Sequence, residues 1–145
     1  MERIALFPGS FNPFTIGHAN IVSRALNMFD KVIFGSGVNS EKSQENISKN
    51  LEDIKTRYAD EPRVKVITYS TLTADVVEKE NATCIIRGIR NDVDLKYESE
   101  IAQVNYTLFK VETIFLLASP ELKEISSSIV RELQKFGKKV SDLLP

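Results

Sequence analysis

The sequence predicts a doubly wound, Rossmann-like α/β fold with a parallel sheet, organised as one domain over residues 1–145. Two observations carry that prediction. Short runs rich in β-branched and aromatic residues recur along the chain, and segments with helical periodicity stand between them; such alternation implies right-handed βαβ crossovers and a sheet covered on both faces. The length supports it, because 145 residues fit one compact domain with a real core.

The first run, Arg3 to Phe7, reads as a buried strand. The loop Pro8 to His18 follows, and then a helical pattern from about Ala19 with Ile21, Ala25 and Phe29 on one face. Val32 to Gly35 is the second strand. Ser40 to Lys65 is dense in charge and amide, and Ile47, Leu51, Ile54 and Tyr58 trace a helix face that Pro62 ends. Val64 to Tyr69 and Cys84 to Arg87 are further strands. Tyr97, Ile101, Val104 and Leu108 mark another helix face, Thr113 to Ala118 the last strand, and Ile125 to Arg131 open a final helical pattern closed by Gly137.

Composition narrows the functions open to such a fold. Hydrophobic residues make up 42% and charged residues 27%, the balance of an ordinary globular protein. The formal net charge of −1 supplies no global positive field for a nucleic-acid backbone, so a bound phosphate must meet local cations. One Cys and one His fall short of the usual zinc ligand sets; any metal would be oxygen-bound, and no side chain is assigned as its ligand. No run approaches the roughly 18 apolar residues of a membrane helix, and the N-terminus lacks the pattern of a signal peptide, so a cytoplasmic protein is expected.

In open parallel sheets ligands bind beyond the carboxyl ends of the strands, which directs attention to the loops there. In the first loop, Gly9 lets the backbone pass near a ligand, and Gly17 sets His18 at a helix start, where free N–H groups favour an anion. A histidine there also serves as a simple cap. Ser126, Ser127 and Ser128 exceed what one cap needs, and their surplus hydroxyls, with Arg131 a turn further on, suit an anionic oxygen train such as a triphosphate. Neither loop is a Walker A motif. Cys84 reads as a core thiol.

Together, Thr15-Ile16-Gly17-His18 and Ile125 to Arg131 resemble the paired H/T-x-G-H and I-S-S-S/T-x-x-R motifs of a nucleotidyltransferase superfamily. Phe7 to Phe11, Ile86 to Arg90, Asp94, Tyr97 and Glu98 narrow the resemblance to the bacterial phosphopantetheine adenylyltransferases, over nearly the whole chain. The resemblance implies transfer of AMP from ATP to 4′-phosphopantetheine, yielding dephospho-coenzyme A and pyrophosphate, with Mg²⁺ as cofactor and a homohexameric assembly. It makes His18 the group that stabilises the five-coordinate α-phosphorus. It places Ser10 and Phe11 where the two substrates meet, and Lys42, Thr73 and Arg87 on the acceptor side. Gly88, Ile89, Arg90 and Glu98 fall on the ATP side with the stretch Leu122, Lys123, Glu124, Ile125, Ser126, Ser127 and Ser128.

Two departures stand out: Asn12 replaces the family's usual Asp, and Ser43 to Asn46 replace a proline and aromatic after Lys42. The competing expectations are a related nucleotidyltransferase with another phosphate acceptor and a nucleotide-binding module that has lost catalysis.

Overall fold

A computed structural model describes the backbone of residues 1–38 and 44–145, with side chains for 1–38 and 49–145. Five strands, β1 (Ile4–Pro8), β2 (Lys31–Gly37), β3 (Val64–Tyr69), β4 (Cys84–Ile89) and β5 (Thr113–Leu117), form one sheet in the order β3-β2-β1-β4-β5, with every pairing parallel. Helices α1 (Ile16–Ala25), α2 (Gln44–Arg57), α3 (Thr73–Lys79) and α4 (Asp92–Phe109) make the crossovers, and α5 (Ser127–Lys135) follows the last strand.

Side chains of a strand alternate between faces, so each strand feeds two cores. Ala5, Phe7, Val32, Phe34, Cys84 and Ile86 point to one face, where Ile21, Val22 and Ala25 of α1 and Ile54 of α2 pack on them. Leu6, Ile33 and Ile85 point to the other, against Ala74, Val76 and Val77 of α3. Both faces are therefore covered, as the alternating pattern required.

The strand order reverses between β1 and β4, the switch point at which such sheets open a crevice. Pairing there is short. β1 and β2 match in register from Ile4↔Lys31 to Pro8↔Gly35, whereas the β1–β4 register stops at Leu6↔Ile85 although β4 continues to Ile89. Beyond that point a guanidinium replaces the ladder: Arg87 Nη1 donates to the Pro8 carbonyl across the gap.

Helix α3 has no counterpart in the sequence expectation, and two further elements differ from it. Phe29 is buried but lies past the end of α1, in the turn that leads to β2, so the apolar period ran beyond the helix. On α4 the stripe Tyr97, Ile101, Val104 and Leu108 is exposed, and Glu98 is the buried residue of this 18-residue helix. Periodicity shows that a helix has an apolar side; it does not say that the side meets this sheet. Among the described residues no helix is long and apolar enough to cross a membrane.

Candidate active site

A cleft of about 340 Å³ lies over the carboxyl ends of β1 and β4. Its floor is the first loop. Phe11 holds a left-handed backbone, φ 48°, sparsely populated by non-glycine residues, and drives its ring into the core beside Phe7, Phe14 and Phe34. A Cβ on Gly9 would sit 3.1 Å from that ring, tighter than most Cβ contacts, so a larger residue there would press on the Phe11 ring.

His18 stands at the first turn of α1, inside this aromatic cluster. Its ring lies 5.1 Å from Phe11 edge-on and 5.8 Å from Phe14 in a stacked arrangement. Thr15, 1% exposed, caps the helix: its Oγ1 accepts from the His18 N–H at 3.4 Å, and its own N–H donates to His18 Nδ1 at 3.0 Å. A main-chain N–H can only donate, so Nδ1 is an acceptor and the neutral ring carries its proton on Nε2. Burial, and then the charges of Arg87 and Arg90, push the His18 pKa from 6.5 down to about 4. At neutral pH the cleft therefore contains an uncharged imidazole with one N–H donor held ready. The same ring both completes the cap and lines the cleft.

The cationic wall comes from β4 and the residue after it. Arg87 Nε and Nη2 donate to the two carboxylate oxygens of Glu98 at 2.9 and 2.7 Å, a bidentate pair in which the Glu98 side chain is 10% exposed. Arg90 donates from Nε and Nη2 to Asp94 at 3.0 and 3.2 Å. A Cβ on Gly88, between them, would sit 3.3 Å from Ile21 Cγ1, so the bare backbone lets β4 lie close over α1.

The N-terminus of α5 closes the opposite wall. Ser126 is its cap, accepting from the Ile129 N–H at 3.1 Å. The other hydroxyls also have protein partners: Ser127 Oγ donates to the Pro13 carbonyl at 2.7 Å, and Ser128 Oγ accepts from Arg131 Nη2 at 3.3 Å. Arg131 Nη1 donates to the Asn12 carbonyl at 2.5 Å, so Arg131 ties α5 to the first loop. Ser127 thus spends its proton on the Pro13 carbonyl, whereas Ser126 and Ser128 act as acceptors and keep their O–H donors, so α5 offers an anion those two hydroxyls beside its free main-chain N–H groups and dipole.

Of the residues singled out from the sequence, Ser10, Phe11, His18, Arg87, Gly88, Arg90 and Glu98 line the cleft, as do Leu122, Ile125, Ser126, Ser127 and Ser128. Ile89, Lys123 and Glu124 lie beside lining residues without being among them. Thr73, at the start of α3, is not among the lining residues, and its Oγ1 lies 3.0 Å from the Tyr69 hydroxyl. Lys42 lies outside the described residues. Ala118, also in the lining, was overlooked, although its place directly after β5 marked it by the same strand-end logic. Cys84 is buried in the core, and burial followed by the Glu112 charge pushes its thiol up to about 11, which suits packing and not nucleophilic chemistry.

A family profile described as cytidylyltransferase-like matches residues 6–133. Curated relatives named phosphopantetheine adenylyltransferase share 49% identity over 99% of this chain and 95% of their own in Phocaeicola vulgatus, and 42% over the same shares in Flavobacterium johnsoniae. The chain belongs to the phosphopantetheine adenylyltransferase family. A solved structure described as a candidate nicotinate-nucleotide adenylyltransferase from Vibrio parahaemolyticus superposes with a TM-score of 0.69 over 99% of this chain and 87% of that one. Its identity is 18%, so it speaks for the fold alone.

Proposed function

We propose that this protein transfers AMP from ATP to 4′-phosphopantetheine, giving dephospho-coenzyme A and pyrophosphate. An oxygen of the acceptor phosphate attacks the α-phosphorus in line, the bond from that phosphorus to the β-phosphate bridging oxygen breaks, and the electron pair leaves with pyrophosphate. The observation that carries this reading is the His18 donor, neutral and with its proton directed to Nε2 by Thr15, in a cleft flanked by Arg87, Arg90 and the α5 N-terminus. No covalent protein nucleophile is needed; such transfer needs alignment and donors for the charge that builds on the non-bridging oxygens.

His18 Nε2–H would donate to an α-phosphate oxygen most strongly when the phosphorus is five-coordinate. Gly88, Ile89, Arg90, Glu98 and the stretch from Leu122 to Ser128 form the ATP side of this reading, with the α5 dipole facing the triphosphate. Arg87, Thr73 and Lys42 form the acceptor side, and Ser10 and Phe11 the junction. The described residues contain no cluster of three metal-ligating side chains, and Asp94 and Glu98 in the cleft each hold an arginine. A protein-held magnesium site does not fit this donor set. Mg²⁺ enters the proposal as the ion that accompanies the triphosphate.

Self-association belongs to the same reading, a homohexamer by family resemblance. The apolar side of α4, with Val104 and Leu108 among its exposed residues, gains from cover by a second copy. Light scattering across a wide concentration range checks it, and a persistent monomer rejects it.

The deciding experiment measures pyrophosphate release from ATP with a panel of acceptors. Release that depends on 4′-phosphopantetheine, and not on nicotinate mononucleotide or a small alcohol phosphate, is the expected result. Release with another acceptor in its place redirects the reading, and none with any acceptor removes the catalytic one.

A further inference from the structure

We infer that Asp94 is a positioning residue for the reaction, setting the direction in which Arg90 presents its guanidinium to the nucleotide; the inference rests on the adenylyltransferase reading of the cleft. The starting point is a carboxylate where an anionic substrate would prefer none. Asp94 lines the cleft together with Arg90, and its charge opposes a triphosphate there. Its hydrogen bonds supply a reason for its presence. Oδ2 accepts from both the Arg90 main-chain N–H and Nε at 3.0 Å, and Oδ1 accepts from Nη2 at 3.2 Å.

One carboxylate therefore grips one arginine at three points, at its backbone and along one edge of its fork. That grip removes the freedom of a long side chain that is otherwise 35% exposed. The edge bearing Nη1 has no protein partner among the described residues and is the one offered to a ligand.

Helix capping alone does not account for the arrangement. The N-cap of α4 is Asn91, whose side chain accepts from the Asp94 N–H at 2.9 Å. In a capping box the acid at Asp94's position would turn back to the Asn91 N–H; here both its oxygens go to Arg90 instead. Asp92, in the same first turn, is exposed and supplies negative charge to the helix terminus without an arginine partner among the described residues.

The test uses Asp94→Asn, Arg90→Ala, the double variant and Asp92→Asn as the charge control, each checked for folding by thermal melting. Positioning and binding separate in the kinetics. Asp94→Asn leaves the Arg90 charge in place and removes a repelling one, so ATP affinity holds or tightens while kcat falls by about 10- to 100-fold, the scale of a displaced catalytic group. In the Arg90→Ala background the same substitution has no further effect on kcat, and Asp92→Asn stays within about twofold of the parent, the scale of a surface substitution.

A purely structural Asp94 would lower the melting temperature and leave kcat of the folded fraction unchanged; that result, or an equal loss of kcat in both backgrounds, overturns the inference. If the parent protein shows no turnover, the adenylyltransferase reading fails separately, and ATP titration of the same proteins decides the pair. Coupling between the two substitutions in Kd of at least about twofold supports it, and additive effects overturn it.

Discussion

Helices α1 and α4 both deliver side chains to the cleft, and they are anchored by opposite means. α1 buries Ile21, Val22 and Ala25 on the sheet, and its His18 ring sits among aromatic side chains with its tautomer set by a main-chain donor. α4 buries less apolar surface in this chain and is tied by charge: Glu98 is its buried residue, and Glu98 and Asp94 pair with Arg87 and Arg90 beside the cleft. Apolar packing resists displacement in every direction, whereas an ion pair yields to competing ions and to water. The cleft thus combines one ring held in the core with two arginines paired to carboxylates on a helix that buries little apolar surface in this chain.

The sharpest way to break the comparison is at its rigid end. His18→Ala removes a preorganised donor, and turnover falls by a factor of about 100 to 1,000, the usual loss for such a group. Because Nδ1 also accepts from the Thr15 N–H, the same variant loses part of a cap and about 0.5 to 2 kcal/mol of stability. Initial rates of pyrophosphate release measured beside thermal unfolding register both effects. A lower melting temperature with unchanged turnover of the folded protein would return His18 to a cap alone.

At the charged end, Glu98→Ala leaves Arg87 without its bidentate partner. Hydrogen bonds to charged groups contribute about 1.5 to 3 kcal/mol, and with the Arg87 side chain 29% exposed to water the lower part of that range applies. Urea unfolding measures the loss. Amide hydrogen exchange sharpens the contrast: raising the salt from about 0.1 to 1 M shortens the screening length from about 10 to 3 Å, so α4 amides exchange faster relative to those of α1. Equal salt responses of the two helices would show that α4 is seated by something other than its ion pairs.

The same contrast explains what the sequence made legible. Each strand was readable because a buried parallel strand is a short apolar run, and the strand-end rule then led to His18 and the α5 serines without any contact being known, while Arg87 and Arg90 came from the family resemblance. What escaped was relational. The α4 stripe was visible, but its direction is set by which side the arginines of β4 claim, a pairing eleven residues apart from Arg87 to Glu98 that no periodicity encodes. The Ser127 hydroxyl looked free because its partner, the Pro13 carbonyl, meets it only through the fold, whereas the Ser128–Arg131 contact spans three residues of one helix. Phe29 kept the helical period and yet sits past the helix end, since a buried turn needs an apolar residue as much as a helix does.

The gentlest probe changes no residue. His18 is the sole histidine of the chain, so its imidazole resonances need no assignment by mutation. Buried, and beside Arg87 and Arg90, it should titrate near pH 4 and not near 6.5. The unfolded chain takes up the proton first as pH falls, so its favourable contribution to stability is fully present above pH 6.5 and is lost as pH falls from there through about 4. Between pH 6 and 8 the ring stays neutral in the folded protein, and neither its chemical shifts nor its contribution to turnover should show a step. An imidazole titration centred near 6.5 would mean that the ring is open to solvent, and the rigid half of the comparison would fall with it.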